Sequence, residues 1–232
     1  QSNTTIAIGT DAGQTTQGSN SVAIGSGAGN SSQSTFSVAI GQTAGNISQG
    51  SACIAVGYNA GSSTQGINSI AIGQLSGRFK QGLGSGSGTG QAIAIGYNAG
   101  AGTSLIGQNT NAIAIGTDAG FVAQGFNNVA IGFGAGKNRQ TEDAISIGTD
   151  AGSADQGTSG IAIGHFTART SQGNDSIAVG TFAGDANQGT LGIALGFGSG
   201  RYKQGKGSGS GTGGAIAIGN GAGATTQGGG AV

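Results

Sequence analysis

The 232-residue chain has no proline, methionine or tryptophan, one cysteine, one histidine and only 7% charged residues, a profile that excludes an average globular protein. The lone Cys53 cannot form an intramolecular disulfide and has no ligand-spaced partner, so it reads as a small packing residue. Eight basic residues balance eight acidic ones, and no global field draws the chain to nucleic acid or to an anionic membrane. No apolar run approaches the length of a membrane span, so direct membrane insertion is not expected. Nothing after Gln1 reads as a signal peptide. Gln1–Gly9 aligns with Gln124–Gly132, and Ala231-Val232 would begin another strand, so the expectation is a mature or partial chain cut from a longer array.

What the sequence has in excess is glycine, 54 residues of it. Without a period this would argue for a flexible chain, but here the glycines fall in register, which indicates a demanding backbone path. The phrase Ser37-Val38-Ala39-Ile40-Gly41 recurs with small variations thirteen times, closing at Gly9, Gly25, Gly41, Gly57, Gly73, Gly96, Gly116, Gly132, Gly148, Gly164, Gly180, Gly196 and Gly219. Most steps are 16 residues, two are 23 and one is 20. So short a fixed period signals a repeat architecture.

Each phrase alternates apolar, Ala, apolar, with β-branched residues outside, as in Ile6-Ala7-Ile8, which denotes a strand and not a helix. With bends at the glycines, one repeat makes a coil of two or so short strands. Each coil buries too little to stand alone, and stacking gives an all-β parallel β-solenoid. Successive strand side chains point to opposite faces. The expectation is that the Ile and Val positions face inward and the Ala faces outward. That Ala hardly drifts: it is Ala7, Ala23, Ala39, Ala55, Ala71, Ala94, Ala114, Ala130, Ala162, Ala178, Ala194 and Ala217, with Ser146 the exception. A face restricted to small side chains suits close approach by another backbone, so these residues are assigned to a chain-packing face, tight packing within one chain being the alternative.

Eight residues after the closing glycine stands a nearly invariant glutamine: Gln17, Gln33, Gln49, Gln65, Gln81, Gln124, Gln140, Gln156, Gln172, Gln188, Gln204 and Gln227, with Gln108 displaced by a local insertion. Stacked glutamines can hydrogen-bond up and down a cross-β array, so a structural ladder at a bend is expected.

A larger repeat of 123 residues lies over the coils, matching 1–109 to 124–232 within a single continuous array. Both copies keep a long insertion, 77–90 and 200–213, and five of the eight basic residues sit there. Read as protruding loops, these place Arg78, Phe79, Lys80, Arg201, Tyr202, Lys203 and Lys206 as contacts for an acidic glycan or carboxylate, solvated charge being the alternative.

The remaining motifs specify no chemistry. The Gly-Ser-Gly runs in the insertions are followed by strands, not by the helix that a phosphate site needs. His165 occupies a position where other coils place Tyr58, Tyr97, Phe133 and Phe197. Asp11, Asp118 and Asp150 supply one carboxylate per coil and read as turn residues, not calcium ligands. No catalytic constellation, metal set or cofactor motif recurs, so neither an enzyme nor a cofactor is expected. Sequons at Asn3, Asn30, Asn46 and Asn174 are permissive only. Ice binding lacks the regular Thr ladder it would need.

The phrase Ser37-Val38-Ala39-Ile40-Gly41 followed by Ala44 resembles the head repeats of YadA-like trimeric autotransporter adhesins, over essentially the whole chain. Similar phrases occur in phage and viral fibre proteins. The resemblance implies a left-handed β-roll, three chains packed as a homotrimeric fibre, and surface attachment at an extracellular location. The unit here is longer than the adhesin pattern, carries Gln-Gly in nearly every coil, and shows no coiled-coil stalk or membrane anchor. The expectation is an extracellular fibre or adhesin segment that binds itself and a host-surface or glycan ligand. The alternatives are a passive self-assembling filament and a virus or phage fibre shaft.

Overall fold

The computed structural model describes residues 4–83, 90–205 and 213–232. All regular structure among them is β, and the chain separates into two compact units, Gln1–Phe126 and Asn127–Val232.

In the first unit the three-residue strands Ile6–Ile8, Val22–Ile24, Val38–Ile40, Ile54–Val56, Ile70–Ile72, Ile93–Ile95 and Ile113–Ile115 stack in that order as a parallel sheet. Equivalent residues of successive coils face each other, Ala23 against Ala39 and Ile70 against Ile93, so the longer steps are absorbed outside the sheet. A second wall carries the glutamines in register, with strands Ser32–Gln33, Ser48–Gln49 and Thr64–Gln65. The third side is a turn at Ala-Gly, joined coil to coil by bonds such as Gly29 N to Ala44 O at 2.9 Å.

The second unit repeats the plan. Val129–Ile131, Ile145–Ile147, Ile161–Ile163, Ile177–Val179, Ile193–Leu195 and Ile216–Ile218 form its parallel sheet. Asn138–Gln140, Ala154–Gln156, Thr170–Gln172 and Ala186–Gln188 form its glutamine wall. Each unit is therefore a parallel β-solenoid whose coils depend on their neighbours for backbone hydrogen bonds.

The faces of the main strand are the reverse of the sequence expectation. Ala23, Ala39, Ala55, Ala71, Ala94, Ala114, Ala130, Ala162, Ala178 and Ala194 are completely buried inside their own coils, and Ala217 nearly so. Only Ala7 of that column is exposed. These alanines cannot be a chain-packing face; it is the flanking Ile and Val that lie outside, half-buried or exposed. The reason is volume. A coil of this length encloses a narrow section, its opposite wall already contributes a glutamine, and only a small side chain fits between them at interior packing density, Ala in most coils and Ser146 in one.

The glutamines are the largest completely buried side chains. They stack in register through their backbones, but their amides act mainly across the coil. Gln33 Nε2 donates to Val22 O at 2.8 Å and Ser37 O at 3.2 Å, and Gln156 Nε2 to Ile145 O and Gly160 O, both at 2.8 Å. Both N–H groups of such an amide are thereby matched to carbonyls, as burial requires. Coil-to-coil amide contacts are fewer, such as Gln49 Nε2 to Gln65 Oε1 at 3.2 Å and Gln140 Nε2 to Gln156 Oε1 at 3.0 Å.

Two glycine columns serve this arrangement differently. A Cβ on Gly41, whose φ is +124°, would lie 2.7 Å from the carbonyl oxygen of Gly57 in the next coil. A Cβ on Gly45, φ +52°, would meet side-chain atoms alone, the amide of Gln49, with its oxygen at 2.8 Å and its carbon at 2.9 Å. Ala168 occupies the Gly45 position in another coil, buried and with φ 44°, so that column tolerates a methyl group. Gly45→Ala should therefore cost about 1–2 kcal/mol, the left-handed penalty. Gly41→Ala, strained and blocked by backbone, should cost at least about 3 kcal/mol. Urea unfolding of the two variants checks the order; equal losses would contradict it.

Candidate functional site

The two basic segments do not begin as loops. Arg78, Phe79 and Lys80 continue the regular coil between Gly77 and Gln81, since Gln81 forms a parallel bridge with Gln65 and Phe79 N donates to Ala101 O at 3.0 Å. Arg201, Tyr202 and Lys203 do the same, with bridges Ala186 to Tyr202 and Gln204 to Gln227. The glutamine anchor holds these residues on the solenoid wall, so each insertion starts only after Gly82 or Gly205, later than the sequence reading placed it. Lys206 and the glycine-serine runs lie outside the described residues.

In the first unit the Arg78 guanidinium lies 4.7 Å from the centre of the Phe79 ring, and Lys80 Nζ donates to Leu105 O at 3.2 Å. The second unit builds more on the same position. A stride of one coil stacks Arg169, Asp185 and Arg201 in a column, with Arg169 Nε 3.2 Å from Asp185 Oδ1 and Arg201 Nε 3.6 Å from Asp185 Oδ2. The Asp185 side chain is completely buried, whereas those of Arg169 and Arg201 keep 44% and 36% of their surface in solvent. Beside this column Phe166 and Phe182 stack at 5.6 Å, and Phe197 meets Phe182 edge-on at 6.1 Å. Arg169 sits 5.3 Å over Phe166 and Arg201 4.5 Å over Phe182, which fixes both guanidinium planes. His165 joins the group through Phe166, at 4.0 Å between ring centres.

Sequence reasoning singled out Arg201 and His165 but missed Arg169, Asp185, Phe166 and Phe182. The signal was available: written in rows of one coil, Arg169, Asp185 and Arg201 fall in a single column.

Other candidates resolve into local structure. Asp11, Asp118 and Asp150 all have positive φ at the same turn position, and Asp118 Oδ1 accepts Asn98 Nδ2 at 3.2 Å. Among the described residues no group of three or more His, Cys, Asp or Glu side chains could hold a metal. Of the sequons, Asn30 and Asn46 donate their amides to Asp11 O and Gly27 O. A groove of about 300 Å³ on the glutamine wall of the first unit is lined by Ser32, Ser48, Thr64, Ile67 and Leu83 among others, without a charged group. No helix among the described residues is long and apolar enough to cross a membrane.

No family model matches the chain, and no curated protein does.

Cys53 belongs to a serine row. Ser37 N donates to Ser21 Oγ and Cys53 N to Ser37 Oγ, both at 3.3 Å, while Ser37 Oγ and Cys53 Sγ reach the carbonyls of Gly50 and Gly66 at 2.7 and 2.8 Å. Burial pushes its thiol up from 9.0 to about 11. In the unfolded chain the proton leaves at the lower value, so stability that is complete below pH 9 falls as pH rises from 9 towards 11, by at most about 3 kcal/mol. Cys53→Ser should abolish that alkaline loss with little effect at pH 7, measured by urea midpoints at pH 7 and 10.5. An unchanged alkaline slope would refute the assignment.

Proposed function

We propose that this chain is a non-enzymatic segment of an extracellular fibre whose copies associate through the Ile and Val face and whose remaining walls are free for surface attachment. The solenoid is a structural, fibre-like repeat scaffold. The observation that carries the proposal is the inverted strand. Each unit presents two in-register columns of mostly Ile and Val on the outside of a parallel sheet, with Ile40 37% and Ile72 38% exposed.

Parallel sheets are ordinarily covered on both faces, and a contiguous apolar strip of this kind marks a contact surface. Tyr58 and Tyr97, each 46% exposed, directly follow the closing glycines of their strands, and aromatic residues are enriched at such contacts. The resemblance of the repeated phrase to trimeric adhesin heads favours three chains around this face. A purely structural filament shares the same assembly and differs only in lacking a ligand.

Light scattering at micromolar concentration should give the mass of an oligomer, a trimer if the resemblance holds. Ile40→Lys combined with Ile72→Lys should convert it to monomer, while Ser32→Lys on the glutamine wall should leave it assembled. A monomeric wild-type chain would defeat the assembly reading. Retention of the assembled chain on cell or mineral surfaces separates the adhesive form from the passive filament.

A further inference from the structure

We infer that the arginine–phenylalanine strip of the second unit is a binding site for an anionic polysaccharide, one bearing carboxylate or sulfate groups. This deepens, and rests on, the attachment role proposed above.

The first support is charge. Two guanidiniums share one carboxylate, and that carboxylate is buried while both cations reach solvent. The site therefore shows the outside a surplus positive charge: Arg169 Nη2 also donates to Asp185 Oδ2 at 3.5 Å, but each partly exposed guanidinium carries further N–H donors for an incoming anion. Guanidinium donors in a fixed plane suit a carboxylate or sulfate, and the rings beneath Arg169 and Arg201 hold that plane before any ligand arrives. The second support is apolar surface. Phe197 is 58% exposed and turned edge-on to Phe182, which leaves a ring for the C–H face of a sugar. The rings follow one another at 5.6 and 6.1 Å along the stack, comparable to one pyranose unit, so a repeating polymer meets a repeating surface.

The third support is that the fold does not require any of it. The matching coils of the first copy, 123 residues earlier, carry Thr43, Asn46, Asn59, Ser62 and Gln74 in place of Phe166, Arg169, Phe182, Asp185 and Phe197. There the column is closed by polar side chains, with Thr43 Oγ1 donating to Asn59 Oδ1 at 2.6 Å and Asn46 Nδ2 to Gly27 O at 2.8 Å. The same scaffold stands with either set, so the arginines, the buried carboxylate and the rings are an addition to it. A nucleic acid is the poorer fit, since phosphate backbones are held by many cations and this chain is neutral.

The test uses the full chain with polygalacturonate, dextran sulfate and neutral dextran as probes in affinity electrophoresis and calorimetry. Arg169→Asn with Asp185→Ser recreates the Asn46, Ser62, Arg78 column of the first copy and leaves net charge unchanged, so nonspecific attraction is held constant. The wild type should bind one or both anionic polymers, with neutral dextran ignored, and the double variant should lose affinity by about tenfold or more. Molar mass and thermal midpoint should stay at wild-type values. Phe197→Gln should weaken binding without altering its salt dependence. The two anionic probes distinguish a uronate from a sulfate ligand. Equal binding by wild type and double variant, or equal binding of neutral dextran, overturns the site. So does loss of assembly along with binding, which would make the column a chain contact. Wild-type chain that holds to surfaces yet binds neither anionic polymer overturns the glycan site alone and leaves the attachment role standing.

Discussion

The buried glutamine amide is the constraint on which the rest of the coil depends. An amide placed inside a narrow tube must find acceptors for both N–H groups, because each unmatched one costs about 1–3 kcal/mol. Gln33, Gln65 and Gln156 find them on the strand that opens their own coil and on the residue four positions ahead. Once the amide spans the interior, the facing strand position holds Ala or, at Ser146, a side chain little larger, and the residue four before the glutamine lies against the amide oxygen. The spacing of Ala, Gly and Gln thus follows from one side chain crossing the coil. It also distinguishes this interior from an ordinary core: the stabilising contacts include directed polar bonds, which specify register more sharply than apolar packing does.

That constraint turns the strand outward. With Ala inside, the alternation leaves Ile and Val exposed, and the apolar surface that would fill a globular core is displayed on one wall of each unit. Such a wall is stabilised only when covered. Each unit therefore combines an interior crossed by glutamine amides, whose N–H groups are matched while oxygens such as Gln33 Oε1 accept no bond, with an apolar outer wall. Association between copies is the natural way to remove that surface from water, and it would supply burial that the thin interior cannot.

Much of this architecture was legible in the sequence: the period, the short strands, the parallel stacking and the glycine bends all follow from residue spacing. The direction of the strand was not. Alternation defines two faces without saying which is inside, and the choice depends on the volume that a coil encloses. The near-invariance of Ala from Ala23 to Ala194 was a real signal of crowding, but crowding against Gln within the coil, not against another chain. The basic segments misled for a similar reason. Residues 77–90 look like one loop by composition, yet Gln81 pins the first part to the wall, and an anchor eight residues after a glycine outweighs a run of charge.

The two copies of the super-repeat show where such a scaffold leaves freedom. Interior positions are nearly uniform in both, since a change there meets the amide or the adjacent coil. The turn positions that hold Thr43 and Asn59 in one copy and Phe166 and Phe182 in the other face no such limit. Neither do the wall positions of Asn46 and Ser62, which become Arg169 and Asp185. A side chain placed there lies beside its counterparts in the neighbouring coils, as Arg169 does beside Asp185, so changes in successive coils build strips, not isolated points. A buried charge is the exception, because Asp185 loses its hydration and demands cations on both sides. Its presence in one copy ties three successive coils into a single unit, and that coupling, absent from the polar column of the other copy, is what makes a definite site out of a repetitive wall.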